Sequence, residues 1–229
     1  MDTESQIYRD LQKNLDKLPS GFPATESGAD IRLLKQLFTP EEAEIATQLS
    51  MKPEPIKRIY NRVKKSRMSI EELEQILDRM AYKGILLVSE EGYDEKHYSN
   101  ARLDAGGTYN FQVNRLTKDL INAYHQYIDE TRAKVKVKAG TKMILPLRTI
   151  PVEKGIPLPG KYQVSNYDDV RKIIKNVRGQ IAVTNCICRQ SKDLLGGSCT
   201  RTDLRETCLM IGPDHAKRHV DMGIGRYIT

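Results

Sequence analysis

The sequence predicts an α+β protein, and three observations carry that prediction. The N-terminal half writes amphipathic helices, two of them opened by capping boxes, and closes on a pair of short apolar strands. The C-terminal half alternates β-patterned runs with a helix. All four cysteines of the 229-residue chain fall within 23 consecutive residues near its end, and none occurs among the first 185.

Residues 1–30 read as a short helix followed by a loop. Leu11, Leu15 and Leu18 recur at helical spacing, and Pro19, Gly21, Pro23 and Gly28 then break the pattern. The run 31–38, IRLLKQLF, is a compact apolar helix. Thr39-Pro40-Glu41-Glu42 places an N-cap, a proline at the first helical position and an acid three residues after the cap. Residues 54–64 carry Ile56, Ile59, Tyr60 and Val63 on one stripe. Ser69 and Glu72 form a second capping box, opening a helix to about Lys83 whose buried face is Ile70, Leu73, Ile76, Leu77 and Met80, with Gly84 as its stop. An apolar strand over 85–88, a turn around Gly92 and a return strand near His97–Asn100 follow.

Helix, turn, helix, strand, turn, strand is the order of a winged helix, so residues 31–105 are expected to form a winged-helix-like domain. Residues 106–229 are expected to form a small mixed α/β domain that carries the cysteines. Within it, Thr117 caps a helix through Glu130, with Leu120, Ile121, Tyr124 and Ile128 inward. Lys134–Lys138 alternates as a half-exposed strand, and Met143–Val152 reads as a more buried one that Pro146 demotes towards an edge. After a Pro/Gly loop, Ser165 and Asp168 start a helix to about Val177, Gly179 ends it, and 181–185, IAVTN, is a buried strand delivering the first two cysteines.

The formal net charge of +7 invites a nucleic-acid partner. The charges sit in the wrong place for one. The helix that would enter a groove carries Glu71, Glu72, Glu74 and Asp78 against Arg79 and Lys83, and the wing adds Glu90, Glu91, Asp94 and Glu95 against Lys96. Phosphates repel such a surface. Lys57, Arg58, Arg62, Lys64, Lys65 and Arg67 could track a backbone, but a basic helix face is more often solvated. The acidic recognition helix therefore disfavours nucleic acid and favours a protein partner. No apolar run is long enough to span a membrane, the N-terminus lacks a signal peptide's apolar core, and the protein is read as cytoplasmic.

Four cysteines in a reducing compartment do not make a disulfide scaffold, and structural cysteines would scatter along the chain. Here Cys186 and Cys188 are separated by one residue, ten residues lead to Cys199, and eight more to Cys208. At i and i+2 of a strand both side chains leave on one face, which would pair Cys186 with Cys188. Gly196 and Gly197 let the following loop fold back, and a short helix over Asp203–Met210 would turn Cys208 inward. Four converging thiolates match the ligand number of a 4Fe-4S cluster or a tetrahedral zinc, and Arg189, Lys192, Arg201 and Arg205 add positive charge around them. Zinc sites favour Cys-x2–4-Cys pairs while iron–sulfur sites tolerate more varied spacing, so the balance tips to iron, with zinc the alternative. His215 and His219, at i and i+4 on a helix, are the less favoured metal ligands. Gly223 and Gly225 lack the rest of a dinucleotide fingerprint and are read as a turn.

The strings SGADIRLLKQLFTPEEAEIA, EELEQILDRMAYKGIL and NCICRQ…GGSC…ETCLMIG, followed by GIGRYIT, resemble a bacterial and archaeal family of 4Fe-4S ferredoxin-type proteins across most of residues 7–229. Such proteins begin with a winged-helix-like region, pass through a segment like this one and run on into a ferredoxin domain with two clusters. The cysteines of that last domain do not occur here, so only the four-cysteine segment carries over. What the resemblance implies is a 4Fe-4S protein acting in electron transfer, docking a redox partner protein through its winged-helix-like region. Two other readings use the same residues: a metal- or redox-responsive winged-helix transcriptional regulator, and a structural zinc-binding assembly subunit. A four-cysteine cage leaves no open coordination position, and no acid–base or nucleophile constellation stands out, so an electron-transfer or accessory role is expected rather than an enzyme.

Overall fold

In the computed structural model, residues 3–18, 21–63, 68–90, 92–104, 107–132, 172, 174–177, 179–198 and 202–228 are described. The strands expected at Lys134–Lys138 and Met143–Val152, the start of the helix at Ser165, the basic residues Lys64, Lys65 and Arg67, and Cys199 lie outside them. Among the described residues the fold is mixed α+β with two small antiparallel sheets, and the chain divides into two units. The first unit comprises residues 1–137 and 187–202, the second 138–186 and 203–229. Among the described residues, no helix is long and apolar enough to cross a membrane.

In the first unit, helix α1 (Thr3–Asp16) buries Tyr8, Leu11 and Leu15, and α2 (Ala29–Leu37) buries Leu33, Leu34 and Leu37. The start of α2 is pinned by a fully buried carboxylate. Asp30 accepts from the Thr25 hydroxyl at 2.7 Å and from the Arg9 guanidinium at 2.6 Å. Helix α3 (Pro40–Ala46) starts at the first capping box as the sequence predicts: Glu42 N donates to Thr39 Oγ1 at 3.2 Å and Thr39 N to Glu42 Oε2 at 2.9 Å. Each such cap stabilises a helix by about 1 kcal/mol.

The stripe over residues 54–64 forms one helix, but later than expected. Glu54–Pro55 is a two-residue strand, β1, and α4 runs Ile56–Val63. Proline lacks the N–H a central strand or a helix interior needs and suits this edge position. Helix α5 (Ile70–Tyr82) opens on the second capping box, with Ser69 and Glu72 bonded at 2.7 and 3.1 Å. Gly84, at φ +78°, ends it. Strands β2 (Leu86–Ser89) and β3 (His97–Asn100) form a hairpin, and β1 adds to β3, giving the order β1-β3-β2. Helix α6 (Lys118–Arg132) starts with Leu120 N donating to Thr117 Oγ1 at 3.1 Å, and it packs Ile121, Tyr124 and Tyr127 inward. Tyr127 stacks on Phe22 with ring centroids 4.5 Å apart.

Glu42 does more than cap. Its carboxylate is 1% exposed, receives Lys83 Nζ at 2.6 Å and lies 3.5 Å from Arg79 Nε. Burial pushes its pKa up, but the bonds from Lys83 and Thr39 N and the nearby Arg79 outweigh that and hold it below its ordinary 4.5. A carboxyl group lowered in this way contributes its full stabilisation above the unfolded value and loses it as pH falls through the folded one. Glu42→Gln is therefore expected to cost about 2 kcal/mol at neutral pH, because it weakens two charge-assisted bonds. That cost should shrink as the medium is acidified below pH 4.5. Urea unfolding of both proteins across the acid range checks this, and a pH-independent gap would refute it.

In the second unit, β4 (Ile181–Asn185) is the central strand, with β5 (Glu206–Ile211) and β6 (Gly225–Ile228) antiparallel on either side. Helix α7 (Ile187–Leu194), which follows β4 in the chain, belongs to the first unit. Helix α8 (Pro213–Asp221) covers one sheet face, where Ala216 packs on Ala182 and Met210, with Cys208 and Val220 at the margin. Gly223 does make the turn after α8, at φ +68°, but Gly225 starts β6. An added Cβ there would sit 3.0 Å from Thr184 Cγ2 and 3.3 Å from His219 Cβ.

Candidate metal centre

The cysteines are placed differently from the sequence expectation. Strand β4 ends at Asn185, and the chain is helical from Ile187 onward, so Cys186 and Cys188 are not alternate residues of one strand. Two local causes are visible. The β4–β5 ladder slips register between Thr184 and Asn185, which ends regular pairing. The sequence then runs through Arg189, Gln190, Lys192 and Leu194, straight-chain residues that favour helix. The helix expected over Asp203–Met210 is also corrected. Residues Glu206–Ile211 are strand, because Met210 on one face and Leu209 and Ile211 on the other follow a period of two against β4.

In the second unit, Cys208 stands opposite Thr184 in the ladder, and Cys186 N donates to Arg205 O at 2.7 Å just beyond its end. Cys186 thus lies two residues past the partner of Cys208, on the far side of the register slip between Thr184 and Asn185. Both thiols are half-buried. Cys208 shares the α8 face with Ala182 and Met210, at the margin of the small apolar cluster.

In the first unit, Cys188 is exposed in the first turn of α7. The N–H groups of a helix's first turn have no intrahelical acceptor, and the helix dipole favours negative charge there, so the position stabilises a thiolate. Arg189 and Lys192 lie on the same helix. The helix is seated by Ile187 and Ser191, both 5% exposed, and by a two-way amide pair. Asn114 N donates to Gln190 Oε1 at 3.0 Å, and Gln190 Nε2 donates to Asn114 Oδ1 at 2.6 Å. Asn114 takes φ +64° to present both groups, a left-handed conformation that asparagine tolerates. Gly196, at φ +84°, ends α7, with Gly197 N donating to Lys192 O at 2.8 Å.

Beneath α7 lies an aromatic pair that sequence reasoning missed. Tyr109 and Tyr124 stack with centroids 3.8 Å apart and planes 10° from parallel, beside a cavity of about 10 Å³ lined also by Leu33, Leu37, Leu103, Thr108 and Leu120. Burial raises the pKa of Tyr109, the Ser191 hydroxyl offsets part of that, and negative charge at Cys188 raises it further. Tyr124 is raised by burial first, with Tyr109, Asp104 and Cys188 adding. No local motif announces this arrangement, since Tyr109 and Ser191 are far apart in sequence.

His215 and His219 do lie on one helix, α8, as their spacing predicts. His219 is fully buried, its Nδ1–H donating to His215 O at 2.8 Å, and the two rings meet edge-on at 4.7 Å. Burial, before any neighbouring charge, lowers His219 to about 4 and lowers His215 as well. Both are therefore neutral near pH 7. Among the described residues, no three His, Cys, Asp or Glu side chains gather closely enough to hold a metal, and Cys199 lies outside that set. Compared with known proteins, the chain matches no family profile, no curated protein and no solved structure.

Proposed function

We propose that Cys186, Cys188, Cys199 and Cys208 ligate one iron–sulfur cluster and that the protein serves electron transfer. The observation that carries this reading is the position of the described thiols. Cys186 and Cys208 occur together at the end of one antiparallel ladder, and Cys188 follows in the first turn of a helix. Covalent geometry alone keeps the Cα atoms of Cys186 and Cys188 within about 7 Å. The donor chemistry fits: half-exposed and exposed thiols, a helix N-terminus and nearby cations all favour thiolate, the form that binds iron. When bound, the cluster supplies one-electron chemistry. The chain's own residues hold the sulfurs, with α7 fixed by the Asn114–Gln190 pair.

Residues 31–105 are read as a winged-helix module that docks a partner protein. Support comes from the β1-β3-β2 strand order around α4 and α5. Among the described residues, several of its cations are paired within the module. Arg62 grips Glu54 at 2.7 and 3.0 Å, Arg79 approaches Glu41 and Glu42, and Lys96 meets Asp78 at 2.7 Å with Glu74 nearby. Those three cations have less to offer phosphates, and the acidic face of α5 adds to that, which favours a protein partner over DNA.

Anaerobically purified protein is expected to contain iron and acid-labile sulfide in equal amounts, about four of each per chain, and to bleach with dithionite. Colourless protein with neither would refute the reading. Stoichiometric zinc without spectral change on reduction would replace it with the structural zinc subunit.

A further inference from the structure

Helix α5 keeps one stripe open to solvent. Leu73, Ile76, Leu77 and Met80 bury its inner side, while Glu71, Glu74, Gln75, Asp78 and Tyr82, spaced three and four apart, share the outer one. Glu71 and Gln75 are exposed, the side chains of Glu74 and Asp78 are 46% and 42% exposed, and Tyr82 is 59% exposed. The hairpin beside it adds the exposed carboxylates Glu90, Asp94 and Glu95, and Tyr93, 45% exposed, stacks on His97 with centroids 3.7 Å apart.

This face already holds an ammonium group. Lys96 Nζ lies 2.7 Å from Asp78 Oδ2 and 3.8 Å from Glu74 Oε1. Its hydrogen bond to Asp78, with the charges of Asp78, Glu74 and Glu90, raises its pKa although burial opposes the rise. One lysine thus meets three carboxylates, and the face stays acidic. At the far end, the Arg115 guanidinium covers the Tyr82 ring at 4.3 Å from its centroid and donates to Tyr82 O, which fixes the ring. A tyrosine held in place and left exposed is a typical interface anchor.

We propose that the outer face of α5, with the hairpin beside it, docks a lysine- or arginine-rich segment of a partner protein, whose cations meet the carboxylates as Lys96 does and whose apolar side covers Tyr82. This rests on the reading of residues 31–105 as a protein-docking module and names the chemistry of the partner. It is independent of the metal centre. Complementary charge steers such an encounter and sets its register.

The test uses the full chain and a fluorescent synthetic peptide helix with lysines along one side and leucines along the other. Anisotropy at low salt is expected to show saturable binding that weakens as salt rises. Glu71→Gln with Glu74→Gln should weaken it about fivefold, as expected for losing two exposed ion pairs. Tyr82→Ala should weaken it about tenfold, as for an aromatic anchor. Glu44→Gln with Asp119→Asn removes the same charge from exposed positions on α3 and α6, and should leave binding within about twofold of wild type. Equal weakening by the two double variants would mean attraction to net charge alone and overturn the proposal, as would a peptide that does not bind. Either result leaves the docking reading standing. Binding of a duplex DNA probe in place of the peptide would overturn that reading too. If Tyr82→Ala fails to fold, the comparison of the two double variants decides.

Discussion

Gly107→Ala is expected to lower stability by about 3–4 kcal/mol, towards the upper end for a single substitution. A Cβ at this position would stand 2.1 Å from the carbonyl oxygen of Arg102 and 3.2 Å from its Cβ. The obstacle is backbone, so no rotamer change relieves it. The Arg102 oxygen also accepts from Thr108 N at 2.8 Å, which closes the turn leading into the buried run Thr108–Val113. Moving that carbonyl would displace Tyr109 and Asn114 together, and with them the seat of α7. Gly92 supplies the comparison. It has φ +81° but nothing within 4 Å of an added Cβ, so Gly92→Ala should cost only about 1 kcal/mol of conformational strain. At roughly 2–4 °C per kcal/mol for a chain of this size, thermal unfolding should place Gly107→Ala about 10 °C below wild type and Gly92→Ala only slightly below. Equal melting temperatures for the two variants would refute this account of the turn.

Cys208→Ser is expected to remove iron without unfolding the second unit. Serine nearly matches cysteine in size, and Cys208 is only half-buried at the edge of a cluster made by Ala182, Met210 and Ala216. The stability cost should be about 1 kcal/mol or less. Loss of a partner that merely orients a metal ligand weakens binding by about 10–100-fold, so loss of a ligand itself should exceed about 100-fold. Leu209→Ser, one residue along on the opposite and exposed face, should leave iron content unchanged. Metal analysis after anaerobic reconstitution, alongside far-ultraviolet circular dichroism, checks both variants. Full iron content in Cys208→Ser would remove that residue from the ligand set.

The N-terminal elements were legible because their signals are local. Thr39 with Glu42, and Ser69 with Glu72, settle their helix starts within four residues, and the hairpin from Leu86 to Asn100 is written by an apolar run and a glycine turn. Strand β1 was not legible. Two residues cannot set a period, and Glu54–Pro55 becomes strand only because Tyr98 and His97 lie opposite it. The cysteine segment misled for a related reason. Cys-x-Cys fits a strand or a helix equally well. What decides is long-range: the slipped register at Asn185 and the grip of Asn114 on Gln190, 76 positions away. Likewise Asp203–Met210 holds residues compatible with either state, and pairing with β4 selects the strand. The cysteines themselves stood out by density alone. The tyrosine pair beneath α7 could not, since Tyr109 lies in a turn and Tyr124 on α6, and only the tertiary fold stacks them.

X-ray absorption at the iron edge on the anaerobically loaded chain addresses the ligand set most directly. Coordination by Cys186, Cys188, Cys199 and Cys208 in one cluster predicts a first shell of sulfur alone, with neighbouring iron in the second shell. A shell dominated by nitrogen or oxygen, or isolated iron with no iron neighbour, would contradict it and shift attention to His215 and His219.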